Sequence, residues 1–188
     1  MSDVNAPVPS EVPHAAYEPE DAMGRLWVPH RMVYIRGEKK PADSSKNACP
    51  FCELDPAEDS DNLVVARGAD CFCILNLFPY NSGHLMVLPY RHVAAYVDLT
   101  DAETVELAAM TKKAIRTLTA VFGPQGFNLG INQGDVAGAG IGAHLHQHVV
   151  PRWNGDANFL PIVGHTKAMP ELLADTHQRL SAAWPGLS

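Results

Sequence analysis

No run of apolar residues in this chain reaches the roughly 20 needed to cross a bilayer as a helix, so the sequence offers no membrane-spanning segment and no membrane partner is expected. Positive charge is also scarce. Fourteen lysines and arginines stand against 21 aspartates and glutamates, a formal net charge of −7, where a nucleic-acid binder would carry a basic stripe. That shortage does not exclude small anionic ligands, which local donors can hold. Residues 1–25 lack an apolar core. Pro7, Pro9, Pro13 and Pro19 sit there among acidic residues, which predicts a disordered N-terminal arm rather than a secretion signal. Without such a signal the four cysteines, Cys49, Cys52, Cys71 and Cys73, point to reduced thiols in a cytoplasmic setting rather than a disulfide framework.

Internal repeats are absent as well, and no composition shift marks a second domain. The 188 residues suit one domain, taken as residues 26–188 with a C-terminal extension, large enough to bury a core without staples. Residues 26–36 mix aromatic and apolar side chains and are expected to pack on that core; residues 37–48 read as a loop. Expected strands are Leu63–Ala66, Cys71–Asn76, His84–Leu88 stopped by Pro89, Gly126–Asn132, and His144–Val150 closed by Pro151. A long helix begins at Thr100, whose spacing from Glu103 is that of a capping box. Leu107, Met110, Ala114, Leu118 and Val121 follow at helical spacing, and Gly123-Pro124 ends it. A C-terminal helix is expected from Glu171 to Ala183. Short turns and a majority of strands give an α+β domain with an antiparallel sheet of about five strands.

The chemistry concentrates in His144-Leu145-His146-Gln147-His148. On an extended segment the three histidines share one face, with Leu145, Gln147 and Val149 on the other. A neutral imidazole nitrogen is a good nucleophile toward phosphorus near pH 7, provided its second nitrogen donates to a fixed acceptor. A neighbouring histidine can protonate or orient a leaving group. A metal-binding face is the competing reading. The loop before the segment holds Gly134, Gly138, Gly140 and Gly142, and glycines let backbone N–H groups approach phosphate oxygens. Arg152 follows directly and is either a bidentate phosphate contact or a surface charge.

The run His144-Leu145-His146-Gln147-His148-Val149-Val150 resembles the signature of the histidine triad family, with Gln147 in place of the usual apolar residue. Asn76 eight residues before His84, and Gln133 eleven before His144, are similar to the fragile histidine triad branch. The resemblance implies a homodimer that joins two five-stranded sheets, and a covalent nucleotidyl-histidine intermediate. It implies His146 as nucleophile, His148 as a leaving-group or phosphate contact, Gln133 on a phosphate oxygen or the leaving group, and Asn76 on the ribose. Turn-forming and surface roles remain open for Asn76 and Gln133. His84 is expected to orient the site through a hydrogen bond.

A bacterial branch that acts as diadenosine tetraphosphate phosphorylase is also similar. It shares Leu26-Trp27-Val28-Pro29, Arg31-Met32, Cys49-Pro50-Phe51-Cys52, Gly138-Ala139-Gly140-Ile141, Val150-Pro151-Arg152-Trp153 and Asn158-Phe159. That similarity implies adenylyl transfer from an adenine dinucleoside polyphosphate to inorganic phosphate as co-substrate, giving ATP and ADP. His30 replaces an aromatic residue of that branch, and Ala143 a hydroxyl carried by some members. Asn132 and the amides of Gly140, Gly142 and Ala143 then have to hold the accepting phosphate. Water as acceptor, a phosphoramidase, and a nucleotide- or zinc-binding module without turnover are the alternatives.

Cys49-x-x-Cys52 has the spacing of half a zinc site. The resemblance implies His92 and His144 as the other two ligands of a structural Zn²⁺; a reduced pair packed in the core is the other reading. Cys71 and Cys73 share a strand face and read as small core residues.

Overall fold

The computed structural model describes residues 49–156 and 170–186. The expectations for residues 1–48, and for Asn158 and Phe159, lie outside these. Five strands form one antiparallel sheet: β1 (Val64–Arg67), β2 (Cys71–Leu75), β3 (Leu85–Pro89), β4 (Gly126–Ile131) and β5 (Gln147–Arg152), in the order β1-β2-β3-β5-β4. Among the described residues two α-helices join them, α1 (Asp101–Phe122) and α2 (Leu173–Ala183). The α+β expectation holds. No helix among the described residues is long and apolar enough to cross a membrane.

Alternation along the strands sorts the side chains into two layers. Cys71, Cys73, Leu75, Leu85, Val87 and Val149 meet Leu107, Met110, Ala114 and Leu118 of α1, with Leu180 of α2. A buried leucine of this kind contributes about 1.5–3 kcal/mol. The opposite face carries Val64, Phe72, Ile74, Met86 and Leu88, with Phe51 and Leu54 packed on them. Burial pushes the Cys71 thiol up to about 12, which fits the core role read for it and for Cys73.

Helix α1 starts where its capping box requires. Thr100 accepts from the Glu103 N–H while Glu103 accepts from the Thr100 N–H, and Gly123 closes the helix with φ +57°. Two further carboxylate ties fasten this helix to the sheet. Glu106 accepts the N–H groups of Ala69, Asp70 and Cys71 at the β1–β2 turn, and a Cβ at Gly68 would collide with that carboxylate. Glu103 pairs with Arg91 through both oxygens, anchoring the connection that carries His92.

The strand ends differ from the sequence reading in instructive ways. The last strand starts at Gln147, not His144, because the Leu145 N–H bonds to Val93 O in the connection after β3 instead of joining the ladder. It also runs through Pro151 to Arg152. Pro151 pairs with Phe127 while its carbonyl accepts Asn81 Nδ2 on the side away from β4, so its missing N–H breaks no β4–β5 bond. Similarly, β3 starts at Leu85 and includes Pro89, which pairs with Cys71. Leu63, at φ +60°, lies outside β1. Strand β2 ends at Leu75 because Asn76 turns the chain by accepting the Phe78 N–H. Strand β4 ends at Ile131, and α2 begins at Leu173.

Arg91 beside Glu103, the main cause, holds that carboxyl down to about 2. A lowered folded value stabilises the protein above the unfolded value, and the contribution is lost as pH falls toward the folded one. Urea midpoints measured across pH should therefore fall between roughly pH 4.5 and 2 in the wild type. Glu103→Gln should lower the midpoint at pH 7 and remove that part of the pH dependence; a parallel pH profile in the variant would contradict the pairing.

Candidate active site and the adjoining thiol–imidazole cluster

The three histidines of the 144–148 segment lie together, buried, on the face away from α1. The His146 and His148 rings are 4.9 Å apart and nearly perpendicular, and Phe51 lies 5.5 Å from the His144 ring and 5.7 Å from that of His146. Leu145 is buried, Gln147 reaches toward α1 and Val149 enters the core cluster, as alternation requires. Although only Gln147 and His148 belong to β5, the shared face survives the late start of the strand.

Hydrogen bonds assign the protons. His146 Nδ1 is 2.8 Å from His144 O; a carbonyl only accepts, so Nδ1 carries the hydrogen and Nε2 keeps its lone pair. Among the described residues nothing donates to that Nε2. A second chain of bonds begins at the Tyr80 N–H, which donates to His84 Nδ1. The neutral His84 ring therefore has its hydrogen on Nε2, which donates to His148 Nδ1 at 2.9 Å. His148 in turn carries its hydrogen on Nε2, and that buried atom has no hydrogen-bond partner among the described residues. A basic nitrogen on His146 thus stands beside an uncommitted donor on His148. Burial, the main cause, lowers the pKa of His146 against the opposing bond to His144 O, and takes His148 down to about 4 with help from His146. Both rings are neutral near pH 7.

His144 serves the next site along. Its Nε2–H donates to Pro89 O at 2.9 Å, which turns a lone pair on Nδ1 toward Cys49 Sγ and Cys52 Sγ, each 3.4 Å away. His92 Nδ1 is 3.2 Å from Cys52 Sγ. The four ligand atoms of Cys49, Cys52, His92 and His144 lie within 4.8 Å of one another. Two thiols and two imidazole lone pairs at this separation fit a tetrahedral metal ion, and the Pro89 carbonyl fixes the His144 tautomer as an outer partner would.

The remaining sequence candidates divide. Asn76 is buried and works through the fold: Oδ1 accepts from the Phe78 N–H, and Nδ2 lies 3.3 Å from His84 Nδ1. Gln133 is exposed, its Oε1 accepting from the Tyr96 N–H, and no hydrogen bond joins it to the imidazoles. Asn132, Gly140, Gly142 and Ala143 are part-buried in the loop between β4 and β5, in which Gly134 and Gly138 adopt positive φ. Arg152 stands four residues beyond His148, about 13 Å along the strand. Its guanidinium is committed to both Asp156 oxygens and to Asn128 Oδ1. A phosphate would have to displace Asp156.

Several contributors carry no sequence signal of their own. Phe51 sits inside the cysteine pair; Tyr80, from the β2–β3 turn, lies 4.6 Å from the His84 ring and 5.5 Å from that of His148. Asp156, which also accepts from Asn81 Nδ2 and the Trp153 N–H, ties the β2–β3 turn to the end of β5. The proton assignment is directly measurable. Long-range ¹H–¹⁵N correlation at pH 7 should show His146 as the Nδ1–H tautomer and His84 and His148 as Nε2–H tautomers; an Nε2–H signal for His146 would overturn the assignment.

Comparison with known proteins agrees with this geometry. Residues 57–155 match the family model of the HIT domain. AP-4-A phosphorylase of Mycobacterium tuberculosis (strain CDC 1551 / Oshkosh) is 50% identical over 167 residues, which cover 87% of this chain and 86% of that protein. The asymmetrical bis(5'-nucleosyl)-tetraphosphatase of Schizosaccharomyces pombe is 35% identical over 82 residues, 44% of each chain. Among solved structures, a zinc-bound histidine triad family protein from Mycobacterium smegmatis matches with a TM-score of 0.61 at 26% identity, over 76% of this chain and 96% of that one. The five-stranded sheet, the three clustered imidazoles and these likenesses agree: the chain belongs to the histidine triad (HIT) family.

Proposed function

We propose that this protein is a diadenosine tetraphosphate phosphorylase, a nucleotidyltransferase that passes an adenylyl group through His146 to inorganic phosphate. The observation that carries the reading is the bond from His146 Nδ1–H to His144 O, which leaves Nε2 basic beside the uncommitted His148 Nε2–H. Identity of 50% to an AP-4-A phosphorylase over most of both chains supports the substrate and the acceptor.

In the first step His146 Nε2 attacks the α-phosphorus of the dinucleotide. The new N–P bond forms as the bond from that phosphorus to the bridging oxygen breaks, and ATP leaves. The positive charge gained by the ring is met by the His144 carbonyl on Nδ1–H. His148 Nε2–H is placed to donate to the departing oxygen. In the second step an oxygen of inorganic phosphate attacks the same phosphorus, the N–P bond breaks, and ADP forms while His146 Nε2 regains its lone pair. His84 is a positioning residue that presents the His148 donor. Asn76 holds His84 and the ribose edge, the loop of Asn132, Gly140, Gly142 and Ala143 supplies amide donors to the accepting phosphate, and Gln133 meets a phosphate oxygen or the leaving group; Arg152 reaches a phosphate only by releasing Asp156. Water as acceptor is the second reading, favoured by Ala143, which brings no hydroxyl to the acceptor.

Cys49, Cys52, His92 and His144 would hold a structural Zn²⁺, which supplies a rigid cross-link and no chemistry to the transfer. Among the described residues no cysteine forms a disulfide, and we assign the protein to a cytoplasmic setting. Strand β4 is a sheet edge with Leu129 exposed, and we assign to it the contact of a homodimer with a continuous sheet.

His146→Ala should lower kcat by at least ~10³ and abolish the acid-labile adenylyl adduct. Diadenosine tetraphosphate incubated with phosphate should give equal ATP and ADP, and little without it; AMP produced at the same rate in both would replace phosphorolysis with hydrolysis. Purified protein should contain about one zinc per chain. Cys52→Ser should lose the metal and several degrees of Tm, and unchanged metal content in that variant would refute the ligand set.

A further inference from the structure

Gln147 lies between His146 and His148 but faces the other way, where Leu145 and Val149 are buried. Its Nε2 donates to Thr111 Oγ1 of α1 at 3.1 Å. The Thr111 hydroxyl spends its own hydrogen on Leu107 O at 2.7 Å, so its oxygen is oriented to accept. Thr111 is buried on the core-facing side of the helix that Glu103 and Glu106 fasten to the sheet. Apolar contacts alone would bury this side of the segment but leave it free to slide. A hydrogen bond fixes a position along the strand axis, because it weakens steeply with angle and distance.

We propose that Gln147 is a positioning residue for the adenylyl transfer: through Thr111 it holds the backbone between the two imidazoles at the height where His146 Nε2 faces the phosphorus and His148 Nε2–H faces its departing oxygen. Strand β5 begins at this residue, with Gln147 paired to Val87 on one side and Ile131 on the other. The segment before it is held to the rest of the protein by the Leu145 N–H bond to Val93 O and by the side chain of His144. Gln147 is therefore the junction at which the ladder hands the chain to the site. A displacement there of an ångström or less would misalign a reacting pair, and such errors cost on the order of tenfold to a hundredfold in rate.

The inference rests on His146 being the nucleophile, and the test separates the two. Gln147→Met keeps the volume and removes the bond; Thr111→Val removes the same bond from the helix; Thr111→Ser retains it. Gln147→Met and Thr111→Val should each lower kcat and the single-turnover rate of adduct formation by about tenfold, with KM within about twofold. The double variant should be no slower than the slower single one, since both delete one interaction. Thr111→Ser should keep most of the rate. Wild-type rates of adduct formation in folded Gln147→Met and Thr111→Val, or losses that multiply in the double variant, would overturn the positioning role alone. A wild-type enzyme that turns over without any adduct would instead overturn the nucleophile and this proposal with it.

Discussion

The hydrogen bond from His146 Nδ1 to the carbonyl of His144 is the constraint on which the site depends. It joins residues two apart in sequence, so it is available only if the His144 carbonyl stays out of the β-ladder. That requirement accounts for the late start of β5: a strand paired from His144 onward would offer that carbonyl to its neighbour. The segment is instead held by the Leu145 N–H and by the His144 ring on Pro89 O. Leaving the ladder costs pairing and sets the tautomer of the His146 ring.

His144 connects two sites with one residue. Its carbonyl orients His146, its Nε2–H binds β3, and its Nδ1 faces the two thiols. Whatever fixes the thiol cluster therefore fixes the carbonyl under the proposed nucleophile. Phe51, between the two cysteines, adds a second route by packing on both His144 and His146. A metal cross-link so placed would act on the geometry of the proposed transfer without contacting the phosphorus.

Much of this was legible in the residues, for reasons that differ by element. Helix α1 announces itself because Thr100, Glu103 and Gly123 satisfy its own ends, and local chemistry is what a sequence displays. The common face of the histidines follows from alternation, and persists though the strand begins three residues late. The partners of those histidines are another matter. Cys52 and His92 are 40 residues apart, and Cys49 and His144 are 95 apart. No spacing rule reaches so far, and the cluster was readable only through a family resemblance. The Tyr80 N–H that sets the His84 tautomer is a backbone group, which every residue but proline possesses. Arg152 shows the converse: a suitable residue beside the motif whose guanidinium the fold commits to Asp156 and Asn128.

The site must also accept a polyanion in a chain of net charge −7. Arg91, just after β3, and Arg152, the last residue of β5, are each paired with a carboxylate, so neither presents a free guanidinium to the imidazoles. Burial keeps His144 and His148 neutral, both with values of about 4. This arrangement suits the proposed chemistry. A cationic His146 would have no lone pair, and a neutral His148 can still donate through Nε2. Fixed N–H groups in a water-poor pocket stabilise developing negative charge without reorganising, and an unpartnered buried donor gains most when an oxygen arrives. The uncommitted His148 Nε2–H is thus a cost borne by the free protein and recovered when an anionic oxygen meets it.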